Sequence, residues 1–455
     1  MVTRKKRRIA KVPEQPSGTL DLQIPPEKAE PASIGNVLMM VIPMLGSTGV
    51  MIFMALQQQQ QQSNPRMLLM GGGMLVAMLG MVGFNMYRQF SQYRTRVVTQ
   101  RREYLSYLAE TREAVRKVAK KQRAYYNWVY PDPDALVTLA SNGSRLWSRE
   151  GNTYDLLAFR YGSGTQPLGL TFNRPPIDPM TEMDVVCLSA MDRFIGVHDH
   201  TDNVGMFLYL GDFSHIEVAG EGESVYDEMR AIMMHLACFI EPSKLKIAVL
   251  CSADRLGDWE WVKWMPQARS SLVRDAVGPG RMISTDPAEL AEMIGPEIPM
   301  RGPFRFTDDM PEWPHLLLVC DGAEFPSSSP LASPSGVRGV TIMSRAREWT
   351  PMTSHTTLRL VIHPSADRNG SDVVDVVTMD SVPESAHADR LSAVQAEAIA
   401  RRMTPFATQQ SLEEADTPVG RSDESRQKDL MELVGIGDIR DFDPEKQWRR
   451  REGRE

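Results

Sequence analysis

Two stretches near the start of the chain are apolar throughout, while the rest is broken into short alternating units. Residues 34–56, IGNVLMMVIPMLGSTGVMIFMAL, and 67–87, MLLMGGGMLVAMLGMVGFNMY, contain no charged residue. Each is about as long as a helix must be to cross a ~30 Å hydrocarbon core. Pro43 and the glycines, costly in a soluble helix, are tolerated in a bilayer. Gly73 and Ala77, one helical turn apart, allow close helix approach. The pattern predicts a transmembrane hairpin whose two helices are joined by the polar turn QQQQQQSNPR. From Arg88 to Trp128 there is no proline or glycine, and helix formers dominate. Val98, Leu105, Leu108, Val115 and Ala119 recur at three-, four- and seven-residue steps, one narrow apolar stripe on a helix of roughly 60 Å. Such a stripe calls for another helix, from this chain or a partner. YPDPD (Tyr130–Asp134) then ends the helix.

Residues 130–214 alternate short apolar runs with turns: LWSREGNTYDLLAFRYGSGTQPLGLTF, RFIGVHDH and VGMFLYLGDF predict a β-rich lead-in. From His215 the order becomes strand, helix, strand: HIEVA, SVYDEMRAIMMHLACFI, LKIAVLC, followed by strands PHLLLVCDG, GVTIMS and TLRLVIH. That alternation predicts a mainly parallel, doubly wound sheet. The serine- and proline-rich PSSSPLASPSG (Pro326–Gly336) reads as a surface loop. The expected class is thus α/β: a basic arm (1–33), a two-helix transmembrane hairpin (34–87), a long helical stalk (88–129), the β-rich lead-in (130–214), a doubly wound domain shaped like a degenerate phosphate-loop ATPase (215–406), and a charged linker (407–455).

Charge divides along the same lines. Of 51 Lys/Arg and 58 Asp/Glu, residues 1–128 hold nineteen and seven, leaving 32 and 51 in residues 129–455, a net of −19. An acidic body repels phosphate backbones, which argues against a nucleic-acid partner. Basic residues flank the hairpin on both outer sides, with Arg4–Arg8 before it and Arg88, Arg94, Arg96, Arg101 and Arg102 after it. The positive-inside rule therefore puts both termini in the cytoplasm and the glutamine turn outside. The four cysteines, Cys187, Cys238, Cys251 and Cys320, form no CxxC pair and sit in apolar runs, as reduced core residues do.

The stretch HIEVAGEGESVYDEMRAIMMHLA has the strand–glycine turn–helix layout of a phosphate-binding loop. A working loop, G-x-x-x-x-G-K-[ST], wraps the phosphates with backbone N–H groups, neutralises them with lysine and holds magnesium with a hydroxyl. With Gly220 as the first glycine, the candidate nucleotide-binding remnant is Gly220, Glu221, Gly222, Glu223, Ser224, Val225, Tyr226 and Asp227. Its last three positions carry Val225, Tyr226 and Asp227 in place of Gly, Lys and Ser/Thr, and no lysine occurs between Lys121 and Lys244. Glu221 and Glu223 add negative charge where phosphates would sit; at ~4 Å and an effective dielectric of ~20 each repulsion costs about 4 kcal/mol. A helix N-terminus offsets about 1 kcal/mol of this. Asp321 closes an apolar strand where a Walker B aspartate would stand, but the catalytic glutamate that often follows is Gly322 here. No catalytic residue and no metal site is assigned. The cluster His198, Asp199, His200 and Asp202 reads as a polar turn rather than a metal site, and Trp259, Trp261 and Trp264 around Lys263 as packing on the sheet rather than base stacking. Gly162–Thr165 is a lone turn.

The paired spans, the basic stalk, YPDPDAL, RLWSREGNTYDLLAFRYGSGTQPL, DWEWVKWMP and LVGIGDIRDFDPEKQW occur in an order that resembles the N-terminal third of the membrane-anchored ATPase of type VII secretion systems, the EccC family of the FtsK/SpoIIIE group. The resemblance implies a membrane anchor, stalk and degenerate ATPase-like domain in the inner membrane, a multi-pass protein with both ends cytoplasmic. It implies three ATPase domains beyond this segment, so the chain is expected to be a truncated portion that stops before the first. ATP and magnesium are expected in those domains and no cofactor in this region. It further implies EccB, EccD and EccE membrane components as partners, self-association into a hexameric complex, and export of helical-hairpin effectors bound by the C-terminal domain. The function expected is a non-hydrolysing coupling module. The alternatives are nucleotide binding through a non-standard loop, with Arg230 replacing lysine, and the anchor of an FtsK-like DNA translocase.

Overall fold

A computed structural model describes residues 12–30, 65–149, 151, 154–274, 278–306, 314–346, 351–365 and 370–415, together with scattered helical positions between 39 and 57. The helices are α1 (Pro65–Val129), α2 (Pro133–Asn142), α3 (Val185–His198), α4 (Ser224–Phe239), α5 (Leu256–Trp259), α6 (Pro287–Ile294) and α7 (Ala393–Ala415). The strands are β1 (Gly18–Asp21), β2 (Ala158–Pro167), β3 (Leu170–Asn173), β4 (His200–Tyr209), β5 (His215–Gly220), β6 (Leu245–Cys251), β7 (Arg269–Arg274), β8 (Pro279–Arg281), β9 (Ile283–Ser284), β10 (His315–Asp321), β11 (Val340–Ala346), β12 (Thr357–His363), β13 (Val373–Val377) and β14 (Glu384–Ala388).

Helix α1 runs unbroken for 65 residues, so the second apolar run and the stalk are one element. The first apolar run lies mostly outside the described residues, as do the side chains at 67–71, 74 and 75. Among the described residues no helix is long and apolar enough to cross a membrane. Val76, Leu79, Met81, Phe84 and Met86 are exposed along α1.

Lower on α1 the buried line differs from the expected stripe. Tyr104, Leu108, Val115 and Tyr126 are buried, whereas Val98 and Leu105 face outward. Tyrosines complete the helical repeat, which a search for aliphatic residues alone misses. The partner helix comes from this chain: Cys187, Met191 and Phe194 of α3, with Leu22 and Leu168, close over Tyr104, Leu108 and Val115. The run RFIGVH, expected to be a strand, lies in α3. Its apolar positions repeat at helical spacing, and Asp184 caps the helix by accepting from the N–H groups of Val186 and Cys187. Arg101 of α1 donates to the same Asp184 at 2.8 Å, tying stalk to cap.

The α/β body forms as expected, with an antiparallel extension. Ten strands share one sheet in the order β4-β2-β14-β13-β12-β5-β11-β10-β6-β9. The six from β12 to β9 are parallel and the four from β4 to β13 antiparallel to their neighbours. The lead-in strands β2 and β4 therefore belong to the main sheet. Alternation along each central strand sends side chains to two cores. Leu317 and Val319 join Ile247 and Val249 beneath α4, α2 and α7. Leu316 and Leu318 join Ala248 and Leu250 beneath α6 on the other face. Residues 416–455, most of the expected linker, lie outside the described residues.

Candidate functional site

Strand β5 and helix α4 do make the strand–turn–helix shape of a phosphate loop. Gly220 has φ +146°, and a Cβ there would lie 2.8 Å from the carbonyl oxygen of Ile362, so only glycine fits. Gly222 has φ +72°. The turn leads into α4 at Ser224, and Glu223 at its cap position makes no side-chain capping bond. Strand β10 ends at the same sheet edge, with β11 between it and β5, so Asp321 faces the loop from two strands away. In open α/β sheets that edge is where ligands bind.

Here the space is filled by protein. Asp321 is buried, 1% exposed, and its carboxylate is engaged on both oxygens. Oδ2 accepts from the indole N–H of Trp259 at 2.9 Å and from Arg255 Nε at 3.2 Å. Oδ1 accepts from the hydroxyl of Tyr226 at 3.4 Å. Tyr226 is the residue in the lysine position of the loop, and it is buried. Its ring lies under the Arg255 guanidinium at 4.4 Å, and its hydroxyl accepts from Arg345 Nη1 at 3.0 Å. Trp259 meets the same ring edge-on. A tyrosine, a tryptophan and two arginines thus form a closed cluster around the strand-end aspartate. These residues do not fit Mg-ATP: the loop itself carries no lysine, and both oxygens of the strand-end Asp321 already have donors.

The other loop residues are placed elsewhere. Glu221 and Glu223 are exposed, and Glu223 pairs with Arg230. Val225 is fully buried, and Ser224 hydrogen-bonds Asp372. Arg230, the proposed lysine substitute, is itself buried; it donates to the loop's own Glu223 and Asp227, the latter at 2.7 Å, and to the Leu391 carbonyl at 2.9 Å, so its guanidinium is already occupied by protein acceptors. Of the remaining candidates, His200 bonds Asp199 and His198 packs edge-on against Phe194. No metal-binding group of three or more His, Cys, Asp or Glu occurs among the described residues. Trp259 and Trp261 are buried against the sheet. Cys187, Cys238 and Cys251 are buried and Cys320 is half-buried; all four are free thiols.

A second polar cluster joins α4 to the base of the stalk, and sequence reasoning missed it. Arg160 on β2 is buried and donates to both oxygens of Asp389, at 2.8 and 3.0 Å. It also donates to the Tyr130 carbonyl at 3.1 Å and to Asp132 at 3.3 Å, in the turn after α1. Burial pushes Asp389 up to about 6, against the pull of Arg160. Burial and then the Asp389 charge hold Glu228, the residue after Asp227 on α4, well above the usual carboxylate range. Arg145 donates to the Trp128 carbonyl and Arg149 to that of Val129 at 3.3 Å, satisfying the negative end of α1. These pairs span up to 229 residues, so no local spacing marks them.

The fold and the filled loop define a class: a mixed α/β domain with a strand–glycine turn–helix at one edge of its large sheet, carried on one long helix. No protein-family model matches the chain. Its relatives are nonetheless consistent. It is 31% identical over 459 residues to the ESX secretion system protein EccC of Thermomonospora curvata, covering 99% of this chain and 33% of that protein. It is 29% identical over 466 residues to the ESX-3 secretion system protein EccC3 of Mycobacterium tuberculosis, covering 95% of this chain and 33% of that one. The ESX-4 protein EccC4 of the same organism is 26% identical over 429 residues, covering 93% and 30%. Among solved structures, the EccC ATPases 2 and 3 of Thermomonospora curvata with a signal sequence peptide align at TM-score 0.32 and 12% identity, over 46% of this chain and 45% of that one. The chain is a homologue of the EccC proteins of ESX type VII secretion systems and spans about a third of the length of the curated relatives named here.

Proposed function

We propose that this chain is the membrane anchor, stalk and non-hydrolysing coupling module of a type VII secretion motor. In this proposal residues 34–56 and 67–87 form a hairpin in the plasma membrane with both flanks cytoplasmic. Its support is the uncharged length of both runs and the large apolar side chains exposed between Met39 and Met86 with no described element over them. ATP and magnesium belong to ATPase domains elsewhere in the full-length relatives. The proposed partners are EccB-, EccD- and EccE-type membrane components and further copies of the chain, as in a hexamer, with helical-hairpin effectors bound by other domains and no nucleic acid. The observation that carries the non-hydrolysing role is the Tyr226–Asp321 contact: the side chain replacing lysine is bonded to the aspartate that would serve magnesium. Coupling is supported by α4, which bears Tyr226 at one end of the helix and, half a turn on, Glu228 against the Asp389–Arg160 pair at the stalk base.

The direct test is calorimetry of the detergent-solubilised chain with Mg-ATP to millimolar concentration, beside Asp321→Ala. Absence of binding in both is expected. Binding that Asp321→Ala abolishes would overturn this role and make the domain a nucleotide sensor.

A further inference from the structure

The acidic body gives its buried arginines acceptors. Arg160 pairs with Asp389, Arg230 with Asp227, Arg301 with Glu297 and Arg359 with Glu217. Arg269 and Arg281 break this pattern. Arg269 opens β7 and Arg281 closes β8, and the two stand directly opposite each other in the antiparallel pair. Side chains so placed start about 5 Å apart, a spacing at which like charges destabilise. Both are half-buried, and Arg269 Nε and Arg281 Nη1 are buried with no acceptor. Burial, then the charge of Arg281, lowers the proton affinity of Arg269. A third cation is close: Lys246 Nζ donates to the Arg269 carbonyl at 3.2 Å. Acids are not scarce, since residues 129–455 carry 51 of them against 32 Lys/Arg. Two facing guanidinium groups, each with a buried nitrogen that has no acceptor, are a cost that a bound anion would remove.

We propose that Arg269 and Arg281, with Lys246 beside them, form a binding site for a phosphate group. A dianion with three or more free oxygens matches two guanidinium forks, each able to give two parallel N–H bonds, whereas one carboxylate would neutralise only half of the pair. The site lies beyond the coupling role and apart from the loop. Lys246 is near the start of β6 and Cys251, which pairs in register with Asp321, is at its end, five residues or about 17 Å away. A soluble phosphate ester and a phospholipid headgroup offer the same chemistry.

The test is calorimetry on the full chain in detergent, titrated separately with inorganic pyrophosphate and with dioctanoyl phosphatidic acid. Arg269→Gln and Arg281→Gln should each weaken binding by about tenfold or more, while Arg274→Gln, exposed on the same hairpin, should stay within about twofold. Affinity should fall with added salt. Heat from pyrophosphate identifies a soluble ligand, and heat from the lipid alone a membrane headgroup. Arg281→Lys keeps the charge but loses the fork, and should lose several-fold, which distinguishes recognition from a folding defect checked by thermal melts. No heat from either probe, or affinity in both glutamine variants equal to that of the parent chain, overturns the site.

Discussion

At the scale of single residues, the site is decided by what replaced lysine. A lysine amine would bring charge but no body; the Tyr226 ring fills the volume between Arg255 and Arg345 and turns its hydroxyl to Asp321. Removing the aspartate should therefore cost more than removing the hydroxyl. Asp321→Ala leaves the Trp259 indole N–H and Arg255 without their shared acceptor, at a cost of about 3 kcal/mol. Tyr226→Phe keeps the packed ring and loses one long hydrogen bond, at about 1 kcal/mol or less. Urea denaturation of the two variants gives the ratio, and equal losses would mean that the carboxylate is not the centre of the cluster. The sequence shows the missing lysine and the added glutamates, which are local facts. It does not show what took the lysine's place, because Arg255, Trp259 and Arg345 reach Asp321 only through the sheet.

At the scale of elements, α4 is the hub, buried at every position from Val225 to Phe239 except Asp227. It carries two titratable groups with opposite shifts. His235, packed between Tyr130 and Phe239, is held well below the usual histidine range by burial and then by Arg149, Arg160 and Arg145. A depressed folded value means stability present above the unfolded value of ~6.5 and lost as pH falls, by up to about 1.4 kcal/mol per unit. Glu228 is raised, so its contribution is present at low pH and lost as pH rises through its folded value. His235→Phe should thus gain on the parent chain as pH drops from 7 to 5, and Glu228→Gln should gain as pH rises. Thermal melts across that range check both, and parallel pH profiles for the two variants would refute the assignment. Element identity was legible where the apolar period was clear and turn residues bounded it, as in β5, α4, β6 and β10. It failed at α3, where a run short of turn signals looks like a strand until Asp184 is recognised as a cap and Cys187, Met191 and Phe194 as one face. The stalk was legible as a helix, yet its buried seam was misplaced because tyrosines and Gln122 share it with aliphatic residues.

At the scale of the whole molecule, charge and hydropathy together set an orientation that can be measured. The basic flanks of the proposed hairpin, Arg4–Arg8 and Arg88–Arg102, favour the cytoplasmic side, and the body with its net −19 follows α1 on that same side. Because α1 continues from the second apolar run to Val129 without a break, the side on which that run ends fixes the side of the body. Topology can then be read with single cysteines. Cys187, Cys238 and Cys251 are buried and slow to react, so Cys320→Ser gives a quiet background. On it, Ser63→Cys in the polar turn should react with a membrane-impermeant maleimide in intact cells, and Ser335→Cys, exposed on the loop before β11, only after lysis. Labelling of both from outside, or of neither, would remove the hairpin and leave α1 to be explained as a helix that packs against another protein.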